Sequence, residues 1–347
     1  MRRPATAAAL LFLLVYAAPK AAMNTDERGL TAVDGLKVGH HTLTGRPTGC
    51  TVVIAEAGAV AGVDVRGAAP GTRETALLDP YTLVQQVHAI VLSGGSAFGL
   101  DTATGVMRYL EERGVGFKFG GSVVPIVPAA ILFDLRVGDS KIRPDAACGY
   151  AAAKAATTGA VAEGNVGAGA GATVGKMRGS QHAMKGGLGS SAIALPNGLV
   201  VAALAAVNAA GDIIDPATGQ VVAGTRTADG KGFADIRLLL RQGDEARPPE
   251  PLQNTTLGIV ATNAALTKLQ AARMAQMAQD GLSRAVVPAH TSVDGDTVFA
   301  MATGRREGPA DADLIGALAA DQMAQAIVRA VRAATSIPGY PAARDLR

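Results

Sequence analysis

The sequence predicts an α/β fold in which the whole chain shares one core. Four strand-like apolar runs, at residues 51–65, 87–95, 190–211 and 255–263, alternate with segments of helical periodicity. Hydrophobic residues make up 48% of the 347 residues but aromatic residues only 3%, so small aliphatic side chains and glycine must fill the core. Such a core suits closely layered sheets and helices.

Three amphipathic helices are expected between and after these strands. The first lies within residues 99–114 and ends at a glycine. The second is predicted to begin at Asn263 as its N-cap, with Leu269 among the side chains that face inward. The third spans about residues 311–334, where apolar side chains recur on one face.

One linker stands out, at residues 241–251, where charged residues and proline are dense in "RQGDEARPPEP". Proteolysis is expected to be easiest there. The part that follows contains one strand, two helices and the segment at 290–304. Because that part is too thin to form a domain alone, we expect it to share its core with the part before the linker.

The N-terminus predicts a signal peptide over residues 1–22. Two arginines precede an apolar run at 7–18, which is too short to span a bilayer, so a removed signal is favoured over a membrane anchor. The protein is therefore expected to be periplasmic or secreted. The alternative is that translation begins at Met23 and the protein is cytoplasmic.

Charge and composition narrow the possible partners and cofactors. The net charge is +3 and no basic cluster coincides with aromatic residues, which argues against nucleic acid and favours a small substrate. Cys50 and Cys148 give neither a disulfide framework nor metal spacing, and are interpreted as buried apolar residues. The five histidines are scattered, so neither a metal nor another cofactor is expected.

Two glycine-rich segments depart from the motifs that they suggest. Around Ser96, "GGSAFG" lacks the spacing of a nucleophile elbow, and a tight strand-to-helix turn with a helix-capping serine is favoured. In "GAGAGATVGKM" the first glycine of a phosphate loop falls on Ala170, and Met177 replaces the hydroxyl residue that would hold magnesium. Lys176 remains either a solvated lysine or a charge that faces a pocket.

Two other segments carry groups that could do chemistry. Asp294 and Asp296 in "HTSVDGDTVFA" would lie on one face of an extended segment, where two acids can orient an amine, bind a metal or carry protons, although a plain Asp-Gly-Asp turn is the simpler interpretation. A cut before Thr255 would give that residue both a hydroxyl and an α-amine of pKa about 8, which form a complete nucleophile and base. Thr255 fits an ordinary strand equally well.

Seven segments of the chain form a recognisable set when they are taken together. They are "VDVRGAAPGTRET", "HAIVLSGGSAFGLD", "VPAAILFDL", "GNVGAGAGATVGK", "KGGLGSSAI", "NTTLGIVATN" and "HTSVDGDTVFA". In this order, from about Thr31 to Arg332, the chain resembles the DmpA-like family of self-processing aminopeptidases and amidases, which includes the L-aminopeptidase/D-esterase, the β-peptidyl aminopeptidases and the nylon-oligomer hydrolase.

The resemblance implies a four-layer α/β/β/α sandwich like that of N-terminal nucleophile hydrolases. It further implies a precursor that cuts itself between Asn254 and Thr255, into chains 23–254 and 255–347, and a tetramer of such processed heterodimers. No stable membrane anchor is expected. The implied activity is hydrolysis of peptides or small amides and esters, most simply as an aminopeptidase.

The resemblance also assigns roles to individual residues. Thr255 would be nucleophile and base, Lys176 a positive group beside it, and Asn208 an oxyanion donor. Asp294 and Asp296 would orient the new amine and the hydroxyl.

Two departures bear on specificity. Serine-nucleophile aminopeptidases of the family tend to carry Ser-Gly-Asp or Ser-Gly-Glu where this chain has Asp-Gly-Asp, as in the nylon-oligomer hydrolase. The segment in which some members hold the substrate amine with an acid is apolar here, at 130–132, so an endo-type amidase stays open. An acyl transferase like the ornithine acetyltransferases is a further alternative, but their Ala-Thr-Met-Leu signature differs from Asn-Thr-Thr-Leu.

Overall fold

The computed structural model describes residues 25–243 and 254–346. The predicted signal peptide and most of the linker lie outside these residues. The helices are α1 Thr25–Arg28, α2 Thr102–Glu111, α3 Ala146–Lys154, α4 Ile236–Arg241, α5 Lys268–Ala285 and α6 Ala312–Ala333. The strands are β1 Lys37–Thr42, β2 Gly49–Val65, β3 Thr72–Arg73, β4 Val87–Ser93, β5 Phe117–Phe119, β6 Ser122–Val124, β7 Ala129–Ile131, β8 Thr173–Val174, β9 Met184–Lys185, β10 Gly187–Ala194, β11 Val200–Asn208, β12 Asp212–Ile214, β13 Val221–Ala223, β14 Thr255–Thr262, β15 Val286–Val287 and β16 Thr297–Ala302.

The largest set of paired strands follows the order β10-β11-β14-β16-β2-β4-β7-β3, with β1 beside β2. Strand β2 is shared by two sheet layers, one that contains β16 and one that contains β4. Its first part, residues 50–54, pairs with β4, whereas its last part, residues 60–65, pairs with β16. The irregular register between these parts lets one long strand pass from one sheet layer into the next.

Alternating side chains along the strands separate three apolar layers. On β14, Leu257 and Ile259 face a cluster between the two sheets, where Phe299 and Leu92 also lie. Val260 points the other way, into the cluster that α5 and α6 cover. The far side of β2 and β4 packs on α2 and α3. This is the α/β/β/α sandwich that the sequence led us to expect.

The two parts of the chain contribute to one sheet. Strands β14 and β16, which follow the linker, lie between β11 and β2, which precede it. α5 and α6 then cover this sheet and contact each other. α6 is long and apolar enough to cross a membrane, but 67% of its most apolar window is buried inside the protein, as in a core helix.

The predicted start of the second helix is wrong. α5 begins after Thr267, whose hydroxyl caps the helix in a capping box with Gln270. The amide group of Asn263 instead bonds the backbone of Val200 and Gly198, at 2.9 Å each. With this start, Leu269 faces solvent and is 67% exposed, contrary to the prediction.

The interpretation of the two cysteines as unpaired apolar residues is also wrong. Cys50 on β2 and Cys148 on α3 form a disulfide, with Cα atoms 6.4 Å apart. Both side chains lie in the apolar layer between this sheet and α2 and α3. They are 98 residues apart in sequence, so only the packing of α3 on β2 brings them together.

Candidate active site

The ends of three strands meet at Thr255, the first residue of β14. β11 runs antiparallel to β14, which places Asn208, the last residue of β11, directly opposite Thr255. β16 runs parallel to β14, so the residues just before β16 lie beside the start of β14. Asp294 pairs there with Asn254 in a short parallel bridge. Strand topology thus brings together residues that are far apart in the sequence.

The peptide bond between Asn254 and Thr255 is buried and carries two donors on its carbonyl. The carbonyl oxygen of Asn254 accepts the backbone N–H of Gly295 at 2.8 Å and also the hydroxyl of Thr255. Asn254 and Thr255 are 1% and 3% exposed. A backbone donor on this oxygen can stabilise negative charge that develops when the carbonyl carbon is attacked.

Close backbone approach explains the glycine between the two acids. A methyl group at Gly295 would lie 2.8 Å from Oγ of Thr255 and 2.6 Å from the carbonyl oxygen of Ala69. A methyl group at Gly67 would lie 2.3 Å from the backbone of both Asp294 and Asp296. The segment "VRGAA" therefore packs directly on the Asp-Gly-Asp turn.

The two acids hold different positions. Oδ1 of Asp296 accepts the backbone N–H of Thr256 at 2.7 Å, next to the candidate nucleophile. Asp294 accepts the backbone N–H of Thr291 at 3.0 Å and also its hydroxyl. Burial, followed by the charge of Asp296, raises the pKa of Asp294. Within the described residues, no group of three or more histidine, cysteine or acidic side chains is placed to hold a metal.

Lys176 is buried rather than solvated. Its Nζ donates to the carbonyl oxygen of Asn208 at 2.9 Å and to Oδ1 of Asn208 at 3.0 Å. Burial lowers the pKa of Lys176 to about 7, although the nearby carboxylate of Asp294 acts in the opposite direction. Of the two interpretations that the sequence left open, the solvated lysine is wrong.

Asn208, which lies opposite Thr255, uses both ends of its amide group in hydrogen bonds. Oδ1 accepts the backbone N–H of Thr173 at 2.9 Å in addition to Nζ of Lys176. Nδ2 donates to the carbonyl oxygen of Phe133 at 2.9 Å in the uncut chain. The oxyanion role of Asn208 stays a prediction.

The turn after β4 is tight, but Ser96 does not cap a helix. Gly95 occupies the N-cap position of the short 3-10 helix Ser96–Asp101, which has no side-chain capping bond. Both Gly95 and Ser96 have positive φ, at 86° and 55°. In the described part of the chain, no side-chain hydrogen bond joins Ser96 to a histidine or an acid, as a serine triad would require.

Sequence reasoning missed the donors that hold the catalytic candidates. Gly295 acts through its backbone N–H, which no side chain reveals. His290 and Thr291 bond the two acids with side-chain donors as well. Their polar side chains next to the Asp-Gly-Asp motif were the available signal.

Known proteins match this chain along nearly its whole length. Residues 28–344 match peptidase family S58. An uncharacterised aminopeptidase of Mycobacterium leprae is 42% identical over 373 aligned residues, which cover 95% of this chain and 95% of that protein. A 6-aminohexanoate-oligomer endohydrolase of Kocuria sp. is 29% identical over 319 residues, covering 86% of this chain and 84% of the relative.

Solved structures show the same fold. The L-aminopeptidase D-Ala-esterase/amidase of Ochrobactrum anthropi, described as a variant of the Ntn hydrolase fold, superposes with a TM-score of 0.66 at 20% identity, covering 93% of this chain and 91% of that one. A β-aminopeptidase of Burkholderia sp. gives 0.63 at 23% identity, covering 91% and 90%. The chain therefore belongs to peptidase family S58, and it is an aminopeptidase-like hydrolase of peptide or amide bonds with the Ntn hydrolase fold.

Proposed function

We propose that the chain activates itself by cutting the bond between Asn254 and Thr255, and that Thr255 is then the nucleophile of an amide hydrolase. One observation carries the proposal. The hydroxyl of Thr255 contacts the carbonyl of Asn254 while the N–H of Gly295 donates to the same oxygen. The attacking group and a donor for the developing charge are thus both in place.

Self-cleavage would proceed in two steps. Oγ of Thr255 attacks the carbonyl carbon of Asn254, the C–N bond breaks, and the nitrogen takes the hydroxyl proton, which leaves an ester and a free α-amine. Water then hydrolyses the ester, giving the Asn254 carboxylate and restoring the hydroxyl. The products are the chains that end at Asn254 and begin at Thr255.

Turnover would repeat this chemistry on an external amide. The neutral α-amine of Thr255 takes the hydroxyl proton as Oγ attacks the substrate carbonyl, and the leaving amine takes that proton as the C–N bond breaks. Water then hydrolyses the acyl ester on Oγ, which releases the acid product and restores the hydroxyl. Asp296, which already accepts the adjacent N–H of Thr256, would orient the new amine. Lys176 and Asn208 would stabilise charge on the other side of the nucleophile.

The proposed substrate is the N-terminal residue of a peptide, or a small amide or ester. The aminopeptidase names of the mycobacterial relatives support an exo-acting enzyme. An endo-type amidase is the second candidate, supported by the name of the Kocuria relative and by the buried apolar residues of β7. Comparing a free aminoacyl anilide with its N-acetylated form tests the choice, because an exo-acting enzyme requires the free amine.

Denaturing gels and N-terminal sequencing test the cut. Two bands are expected, and the smaller should begin Thr-Thr-Leu. The Thr255→Ala variant should stay one chain and be inactive, because it lacks the hydroxyl. Ser96→Ala, the matched control, should be cut and remain active. One intact band in an active preparation would contradict the proposed mechanism.

We also propose export by a signal peptide over residues 1–22. The disulfide between Cys50 and Cys148 supports this location, because such bonds persist in oxidising compartments. Fractionation of the native host, with N-terminal sequencing of the large chain, tests the proposal. A cytoplasmic protein that begins at Met23 would contradict it.

A tetramer of processed heterodimers is the proposed assembly, on the family resemblance alone. Light scattering on the cut protein should give four copies of the pair of chains. A monodisperse pair would overturn this assembly without affecting the cleavage mechanism.

A further inference from the structure

The loop between β15 and β16 folds back around the two acids. His290 donates its backbone N–H and its ring Nδ1–H to the same oxygen, Oδ2 of Asp296, at 3.0 and 2.9 Å. Nδ1 must be the donor, because an ionised carboxylate only accepts. Thr291 likewise gives its backbone N–H and its hydroxyl to Oδ2 of Asp294. On each acid, the Oδ2 oxygen is thus held by one residue of this loop, through one main-chain and one side-chain donor.

This arrangement fixes the direction of the Asp296 carboxylate. With Oδ2 engaged twice by His290, Oδ1 faces the N–H of Thr256 at 2.7 Å. Rotating the carboxylate away would break the bonds at both oxygens while the group stays buried, at 1% exposed. The oxygen that points at the start of β14 is therefore set by residues outside β14.

His290 is anchored on its other side by α5. Its Nε2 lies 3.0 Å from the hydroxyl oxygen of Ser283, which also lies 3.1 Å from the carbonyl oxygen of Gln279. The single hydroxyl proton can go to Nε2 of a neutral ring, or to the carbonyl oxygen of Gln279 while the hydroxyl oxygen accepts from Nε2–H of a protonated ring. Nδ1–H points at Asp296 in either state. The ring thus connects α5 to the acid whatever its charge.

The backbone of His290 is left-handed, with φ at 56°. Histidine, asparagine and aspartate tolerate this region better than most residues, and glycine adopts it freely. The conformation places the backbone N–H and the ring of one residue on one carboxylate oxygen.

We propose that His290 and Thr291 are positioning residues, which orient Asp296 and Asp294 respectively toward the nucleophile. The inference rests on the proposed role of Thr255. Loss of either side-chain donor frees one acid to rotate, so self-cleavage and kcat should fall by about 10- to 100-fold while KM changes little.

Matched pairs of variants separate positioning from folding. His290→Gly and His290→Asn both accommodate the left-handed backbone, but only asparagine keeps a donor near the place of Nδ1. Thr291→Val keeps nearly the shape of the threonine but lacks its hydroxyl. Thr291→Ser keeps the hydroxyl. His41→Asn, on β1, is the control for loss of a histidine elsewhere.

The measurements are the time course of self-cleavage on gels, kcat and KM for L-alanine p-nitroanilide, and thermal melting. Self-cleavage needs no added substrate, so it reports on the acids whatever the substrate class. We expect the glycine and valine variants to be slow, and the asparagine and serine variants to recover most of the rate, at similar melting temperatures.

Equal rates in the slow and rescued members of each pair would overturn the inference, because the donor would then be irrelevant. Parent-like rates in the glycine and valine variants would do the same. If the parent itself stayed uncut yet active, the proposed role of Thr255 as nucleophile would be wrong, and this inference, which rests on it, would be wrong too. A normally cut parent with unaffected variants would overturn the inference alone.

Discussion

Lys176 and Lys185 are two buried lysines in the same glycine-rich part of the chain, and burial lowers the pKa of each to about 7. Their partners differ. Lys176 bonds one residue of the candidate active site, through the backbone and side chain of Asn208. Lys185 instead donates to three backbone carbonyl oxygens, those of Gly169 at 2.8 Å, Ala172 at 3.0 Å and Gly186 at 3.1 Å.

The comparison shows that burial and a lowered pKa do not by themselves identify a catalytic lysine. Three carbonyls match the three hydrogens of an ammonium group, so Lys185 is fully bonded by the backbone that it holds together. Lys176 interacts with the charge of Asp294 and bonds Asn208, the residue opposite Thr255, so its charge is placed to act on the proposed reaction. The bonded partners distinguish the structural lysine, Lys185, from the proposed functional one, Lys176.

The largest expected effect is on folding, in Lys185→Met. Methionine fills a similar volume but leaves three buried carbonyls without a donor, which should lower the free energy of unfolding by about 3 to 5 kcal/mol. The melting temperature should fall by roughly 10 °C. Calorimetry in a Thr255→Ala background, which stays one chain, measures the change. A parent-like melting temperature would show that the two lysines are not different in the way proposed.

Lys176→Met should instead affect chemistry more than folding. Removing the charge beside the nucleophile should slow turnover and self-cleavage by about 100-fold or more. The loss of melting temperature should be smaller than for Lys185→Met, because fewer carbonyls lose their donor. Lys154→Met, at an exposed lysine on α3, is the control and should match the parent. If Lys176→Met were cut and active like this control, Lys176 would have no part in the site.

Local periodicity explains which parts of the fold were predictable. The main strands and the α2 and α6 helices follow from residue patterns that each segment carries within itself. The four layers came with the family resemblance rather than from periodicity. The disulfide depends instead on how elements pack, and the exposure of Leu269 on where a helix begins, so the predictions for both were wrong.

The site divides in a similar way. The structure brings the motif residues Thr255, Asn208, Asp294 and Asp296 together at the start of β14, with Lys176 bonded to Asn208. The sequence specifies side chains but does not show where backbone groups point. The roles of the N–H of Gly295 and of the carbonyls around Lys185 therefore could not be predicted. The direction of these backbone groups depends on the three-dimensional path of the chain.

A smaller effect concerns stability and pH. A lysine with an ordinary pKa of 10.5 when unfolded and about 7 when folded binds more protons in the unfolded state between those values. Stability should therefore rise as pH increases from 7 toward 10.5. Urea unfolding of the Thr255→Ala chain at pH 7 and 9 measures the rise. Adding Lys176→Met should reduce the rise by up to about 2 kcal/mol, whereas adding Lys154→Met should leave it unchanged. A flat profile in the parent would contradict the lowered pKa of the buried lysines.

The smallest expected effect is a shift in the pH dependence of activity, in Asp294→Asn. The carboxylate of Asp294 raises the pKa of Lys176 against the effect of burial. Neutralising that acid should let the pKa of Lys176 fall further below its ordinary value. If Lys176 acts in its protonated form, the limb of the kcat profile that falls with rising pH should move to lower pH by about half a unit to one unit.

Asp296→Asn is the matched comparison, because Asp296 acts on Asp294 and bonds the N–H of Thr256. Both variants should turn over about 100-fold more slowly, since each loses an orienting acid. Only the Asp294 variant should move the Lys176 limb substantially. The same shift in both variants would mean that the two acids act equally on the pKa of Lys176. No shift in either variant would mean that the charge of Lys176 does not control the reaction.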